Sequence, residues 1–180
     1  MRMNRERSAL WVIDMQDKLL NHVDDWQRVL DAVMWLTAVA RELGVPVLVS
    51  EQYPKGLGRT QQDLLAVAGD APVVDKVDFS CVEAGCFDGV RGADAEHVVV
   101  CGIEAHVCVM QTVLDLAAAG RKVFVVADAI GSRAAHDRLF AIERMRAAGA
   151  TVVTREMVCF EWLVRSGSDE FKRISKEYLR

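Results

Sequence analysis

Apolar residues along this chain fall into two alternating patterns, short unbroken runs and longer stretches at helical spacing. The runs lie at residues 9–13, 45–49, 73–74, 98–101, 123–127 and 151–153, and several are rich in β-branched side chains. An apolar run without polar alternation predicts a strand buried on both faces, as in a parallel sheet covered by helices. Helical spacing occupies 26–43, 60–67, a short segment near 82–90, 109–119 and 133–148. In the first of these Trp26, Val29, Leu30, Val33, Leu36, Thr37 and Ala40 share one side, and Gly44 follows as a helix stop. Gly120 and Gly149 close the later two in the same way. Regular β-α alternation predicts right-handed crossovers and a Rossmann-like α/β/α three-layer sandwich with a parallel sheet of about six strands.

Residues 160–180 read as one or two terminal helices, the last over about 168–180 with Phe171, Ile174, Tyr178 and Leu179 on one stripe. Such a stripe either packs on its own domain or grips a second subunit. No internal repeat, low-complexity segment or linker interrupts the chain, so residues 1–180 are expected to form one domain.

Composition narrows the function classes. The chain is 52% hydrophobic and 27% charged, within the range of soluble globular proteins. A net charge of −4 supplies no basic footprint for nucleic acid or an anionic membrane. No apolar run approaches the roughly 18 residues that a bilayer span requires. The charged stretch from Met1 to Ser8 lacks the hydrophobic core of a signal peptide. Five cysteines, an odd number without paired spacing, point to a reducing compartment and a cytoplasmic protein.

The chemistry gathers where strands end. In open parallel sheets, ligands sit beyond the carboxyl ends of the strands. Asp14 follows the first strand, Lys76 the third, and Cys108 lies between the fourth strand and the helix expected from Val109. A carboxylate placed after an apolar strand is partly desolvated and suited to proton transfer. A lysine taken inside needs a charged partner. A cysteine at a helix N-terminus meets unpaired N–H groups and the positive end of the helix dipole, which predicts a lowered thiol pKa. Together the three offer a base, a cation and a nucleophile at one sheet edge.

At these residues the chain resembles the cysteine hydrolases of the isochorismatase-like superfamily, which includes nicotinamidases and N-carbamoylsarcosine amidase. The most specific match is Gly102-Ile103-Glu104-Ala105-His106-Val107-Cys108-Val109, followed by Thr112, Asp115 and Gly120, with Asp128-Ala129-Ile130-Gly131-Ser132-Arg133 also fitting. The resemblance implies an Asp-Lys-Cys triad at Asp14, Lys76 and Cys108. It also implies a cis peptide between Ile103 and Glu104, and an oxyanion hole formed by the N–H groups of Glu104 and Cys108.

Departures from the family restrict the substrate. Nicotinamidases carry an Asp-x-His metal motif after the second strand. The corresponding segment here, from Ser50 through Glu51, Gln52 and Tyr53 to Thr60, contains no histidine. Glu51 alone cannot make a transition-metal site, so neither a metal nor another cofactor is expected. Siderophore-pathway isochorismatases lack the nucleophilic cysteine, which this chain has. The Glu-Gln-Tyr-Pro segment resembles a subgroup of isochorismatase-domain hydrolases. There Gln52 and Tyr53 would offer donors and a stacking surface, His106 would line the pocket and Phe79 would wall it. Cys81 and Cys86, with His97 further on, are too loosely spaced for zinc, and glycine-rich phosphate loops are absent. The expected function is cysteine-dependent cleavage of a C–N bond in a small amide, by a homo-oligomer without nucleic-acid or membrane partners. A thiol redox protein, or a binding protein with a vestigial triad, is the alternative.

Overall fold

A computed structural model describes residues 1–179. The six strands form one sheet in the order β3-β2-β1-β4-β5-β6. They are β1 (Ser8–Ile13), β2 (Val47–Gln52), β3 (Val73–Lys76), β4 (His97–Ile103), β5 (Lys122–Gly131) and β6 (Thr151–Val153), and every neighbouring pair is parallel. The helices are α1 (Asp17–Leu20), α2 (Trp26–Glu42), α3 (Pro54–Leu57), α4 (Gln62–Ala68), α5 (Met110–Ala118), α6 (Ala135–Ala147), α7 (Arg155–Leu163) and α8 (Asp169–Tyr178).

Successive side chains leave a strand on opposite faces. Leu10, Val12, Val99, Cys101, Phe124 and Val126 therefore enter one core, which α2, α4, α7 and α8 cover. Ala9, Trp11, Val98, Val100, Val123 and Val125 enter a second core, covered by α5 and α6. Every residue of β1 and β4 is buried. That two-sided burial is the physical reason for the unbroken apolar runs, and it gives the three-layer α/β/α sandwich expected from them.

Two details differ from the sequence expectation. Residues 82–90 form consecutive turns rather than a helix. Gly85 and Gly89 take positive φ there, which interrupts helical hydrogen bonding, while Cys81 and Phe87 still plug into the second core. Strand β2 continues past Val49 to Gln52 and β3 past Val74 to Lys76, because Glu51 pairs with Asp75 and Gln52 with Lys76 in register. Polar residues carried by ladder pairing leave no hydrophobic signature. In line with the expected one or two terminal helices, the terminal segment forms two, separated by a short bend, with Arg180 outside the described residues.

The apolar stripe of α8 is used within the chain. Ile174 is buried in the first core, and the Trp35 indole N–H donates to the Tyr178 carbonyl at 2.9 Å. The Trp35 and Tyr178 rings meet edge-on at 6.3 Å. The stripe is thus occupied by α2 rather than left for a second subunit.

Candidate active site

Strand order reverses between β1 and β4, which opens a crevice at their carboxyl ends. Gly102 lets the two strands close there. Its φ is +117°, and a Cβ would come within 2.1 Å of the Ile13 carbonyl oxygen. Asp14 stands immediately after β1 in the left-handed region, at φ 51°. Its N–H donates to the Ser50 carbonyl at 3.1 Å, and its own carbonyl accepts from the Gln16 N–H at 2.7 Å. The start of α1 is capped at the position of Gln16, so Asp14 is not a helix cap. Lys76 ends β3. The Ile103–Glu104 bond is cis, and Cys108 sits in a π-helical turn, Ala105–Val109, that runs into α5.

These elements bring Asp14, Lys76 and Cys108 together. One Asp14 carboxylate oxygen accepts from the Lys76 ammonium at 2.8 Å and the other from the Ser50 hydroxyl at 2.7 Å. Lys76 Nζ also donates to Gln52 Oε1 at 2.5 Å and to the backbone carbonyls of Phe79 and Asp78 at 3.0 and 3.3 Å. The Cys108 sulfur lies beside both Asp14 and Lys76 and 3.9 Å from the same Gln52 oxygen. Gln52 is in turn held by Gln16, whose side chain accepts from the Gln52 N–H at 2.8 Å and donates to its carbonyl at 3.0 Å. Its own Nε2 donates to the Val77 carbonyl at 2.6 Å. Gln52 is therefore a buried member of the polar cluster around the sulfur.

The electrostatics correct one expectation. Burial pushes the Cys108 thiol above its ordinary value, and the Asp14 carboxylate pushes it the same way. Lys76 opposes both without overcoming them. Cys108 is therefore a thiol at rest, not a preformed thiolate. The Lys76 charge is already balanced by Asp14, and a thiolate would add an uncompensated charge to a buried site. Burial also works to lower the Lys76 pKa, but its negatively charged surroundings, Asp14 foremost, outweigh it and hold the ammonium above its ordinary value. Lysine stays charged.

The family's metal position carries a different chemistry. Glu51 is buried at the end of β2, where its carboxylate accepts from the Thr60 N–H at 2.7 Å, the Thr60 hydroxyl at 2.8 Å and Arg59 at 2.7 Å. Burial alone would raise the Glu51 pKa, but these partners outweigh it and hold the carboxyl below its ordinary range. An arginine cation already neutralises this carboxylate, and among the described residues no cluster of His, Cys, Asp or Glu could hold a metal ion. The residues present do not fit the nicotinamidase metal centre.

The rim of the site is more open. Tyr53 and Phe79 are half exposed, at 52% and 50%, and Val77 stands out at 75%. Beside them Val77, Phe79, Glu83, Gln111 and Asp115 bound a recess of about 380 Å³. His106 does not approach the triad through any hydrogen bond; its Nδ1 pairs with the Ser132 hydroxyl at 3.0 Å. The side chain of Glu104 forms a two-point contact with Arg133, at 2.8 and 3.3 Å. Ser50, Gln16 and Arg133 were not singled out from sequence as site residues. Ser50 directly follows the apolar run 45–49, and only its hydrogen bond to Asp14 distinguishes it.

Known proteins resemble this chain over most of its length. The isochorismatase domain model matches residues 8–157. The chain is 35% identical to isochorismatase family protein 1B of Dictyostelium discoideum over 94% of its own length and 84% of that protein's. A solved structure described as MAR1 ribonuclease from Caenorhabditis elegans is 38% identical, with a TM-score of 0.92 over 100% of this chain and 93% of that one. The YcaC protein of Pseudomonas aeruginosa, solved with hexane-2,5-diol and covalent acrylamide, is 25% identical, with a TM-score of 0.90 over 99% of this chain and 92% of that one.

Proposed function

The chain belongs to the isochorismatase-domain family, and from that premise we propose that this isochorismatase-like hydrolase is cysteine-dependent and cleaves the C–N bond of a small amide through a thioester. The observation that carries this reading is the fully buried Asp14–Lys76 pair set against the Cys108 thiol. Asp14 takes the thiol proton as the sulfur attacks the amide carbonyl. The N–H groups of Glu104 and Cys108 receive the developing oxyanion, each such donor typically contributing ~3–4 kcal/mol in comparable sites. Asp14 passes its proton to the departing amine, leaving an acyl group on sulfur. Water, deprotonated by Asp14, then releases the acid and regenerates the thiol. Lys76 keeps its proton throughout and offsets the negative charge as it moves between carboxylate and sulfur.

Tyr53, Phe79 and His106 line the approach, and Gln52 holds the sulfur and lysine in place rather than reaching outward. Covalent acrylamide on the Pseudomonas relative is in keeping with a nucleophile in the shared fold. The ribonuclease description belongs to the nematode protein. In this chain the recess beside the site is bounded by the carboxylates Asp78, Glu83 and Asp115, and the net charge is −4; both disfavour an RNA backbone.

The reading extends to a single hydrolase domain over residues 1–180 acting in a reducing cytoplasm, supported by five unpaired thiols. It also includes a homo-oligomer, supported by exposed apolar side chains at Leu139 and Phe140 on α6 and at Met157, Phe160 and Val164 on and after α7.

Purified protein assayed against small primary amides and ureides should release ammonia, and against hydroxamates hydroxylamine. Acid quenching should trap an acyl adduct on the peptide containing Cys108, absent in Cys108→Ser. Neither ammonia nor adduct across the panel overturns the proposal, and cleavage of RNA by the same preparation replaces it with a nuclease.

A further inference from the structure

Cys81 and Cys86 take no part in the mechanism above, yet they meet beside it. The Cys86 N–H donates to the Cys81 carbonyl at 3.2 Å, closing a turn with the two cysteines at its ends. The two thiols lie near enough to shift one another's ionisation; Cys81 is buried and Cys86 half-buried. The Cys81 sulfur also lies beside the Ser50 hydroxyl, whose proton is committed to Asp14. The Cys81 N–H is fixed by Thr112 Oγ1 on α5, at 3.0 Å. Immediately upstream, the carbonyls of Asp78 and Phe79 accept from the Lys76 ammonium. The dithiol thus touches the triad twice, through Ser50 to Asp14 and through the backbone that cradles Lys76.

We propose that Cys81 and Cys86 are an oxidisable pair that closes to a disulfide under peroxide, and that this bond turns down the triad through Ser50 and the Lys76 cradle. The modification itself is independent of the enzyme's reaction, whereas its regulatory effect rests on the hydrolase reading. The chemistry balances with hydrogen peroxide as oxidant. The Cys81 sulfur attacks one peroxide oxygen, the O–O bond breaks, and one water leaves with a sulfenic acid on Cys81. The Cys86 sulfur then displaces the sulfenic oxygen, which departs with the thiol proton as a second water. Two thiols are oxidised and one peroxide is reduced.

The roles of the two sulfurs follow from their surroundings. Burial opposes ionisation of Cys81, and so does the Asp14 carboxylate, but the Cys86 thiol beside it and the Lys76 charge outweigh them and bring its thiol below the ordinary value. The neighbouring Cys81, reinforced by burial, pushes Cys86 upward, so Cys81 is the first to attack. Cys101 is buried in β4, and burial first pushes Cys159 up to about 11; neither has a neighbouring thiol to complete a bridge. An S–S bond of about 2.0 Å is far shorter than any thiol contact. Forming it draws Cys81 away from Ser50 and pins the segment that supplies the carbonyls to Lys76.

A tryptic peptide bounded by Lys76 and Arg91 contains both cysteines and no internal cleavage site, which makes the test direct. Cys108→Ser protein, treated with stoichiometric hydrogen peroxide and then alkylated, should yield this peptide two hydrogen masses light and unalkylated, with dithiothreitol restoring two alkylated thiols. Because this arm needs no turnover, failure of the hydrolase reading leaves it intact. With an amide substrate from the screen, peroxide should lower kcat of the Cys108-containing protein at least tenfold in a manner that dithiothreitol reverses. Cys86→Ser should keep basal activity and lose most of that reversible component. Two alkylated cysteines after peroxide overturn the modification site. A cross-linked peptide with unchanged turnover, or an equal reversible loss in Cys86→Ser, overturns the regulatory link.

Discussion

Lys76 and Asp14 meet at 2.8 Å with neither side chain reaching solvent, although 62 residues separate them along the chain. A buried pair of this kind is held by mutual need, because either charge alone would be stranded in a low-dielectric site. Lys76→Met should therefore destabilise the fold by about 3–5 kcal/mol, the typical cost of leaving one buried charge unpaired. The double variant Asp14→Leu/Lys76→Met should recover most of that loss. Urea unfolding checks both, and a single variant as stable as the parent would show that the pair does not stabilise the fold.

Cys108 should react slowly with iodoacetamide at neutral pH and faster as pH rises through 9, because burial and Asp14 hold it as a thiol. Asp14→Asn removes a like charge and should speed alkylation while abolishing turnover. Lys76→Ala removes the opposing cation and should slow it further. Peptide mapping over a pH series decides the matter: rapid labelling of Cys108 below pH 7 would mean that the helix terminus and lysine prevail after all.

Ser50 donates to Asp14 at 2.7 Å inside the core, and a buried hydrogen bond to a charged group is worth roughly 1.5–3 kcal/mol. Ser50→Ala should cost about that much stability. It should also reduce kcat by more than it changes KM, since the hydroxyl orients the base and does not touch substrate. Equal effects on both parameters would assign Ser50 to substrate binding instead.

Glu51 sets an acid limit on stability. Its carboxyl titrates below its ordinary 4.5 in the folded chain, so its contribution is fully present above that value and is lost as pH falls through the lower folded pKa. Glu51→Gln should flatten the loss of stability below about pH 4.5, as measured by thermal melts. Because Arg59 already serves this carboxylate, dialysis against a chelator should leave turnover unchanged. Activity lost on dialysis and restored by zinc or iron would refute that expectation.

Truncation after Gly167 should lower the melting temperature without changing the oligomeric mass, because α8 covers Trp35 and buries Ile174 within its own chain. Charged substitutions at Phe140 or Phe160 should be the ones that shift the mass in analytical ultracentrifugation. A monomer at micromolar concentration in the unmodified chain would remove the oligomer proposal.

Periodicity alone identified the alternating strands and helices and the glycine stops at Gly44, Gly120 and Gly149. Those signals are local, arising from side chains within a few positions of one another. Burial on both faces leaves an unbroken apolar run, and a helix leaves a repeat near four. Asp14, Lys76 and Cys108 were legible for the same reason, as polar residues standing where such runs end. The register of β2 on β3, the turns across 82–90 and the docking of α8 on Trp35 depend on partners far away in sequence. So do the Ser50 and Gln16 contacts. The charge state of Cys108 is the clearest case: sequence supplied a helix terminus and a lysine, both favouring thiolate. Only the tertiary structure adds the solvent removed from the sulfur and the carboxylate at its side, and their sum reverses the sign.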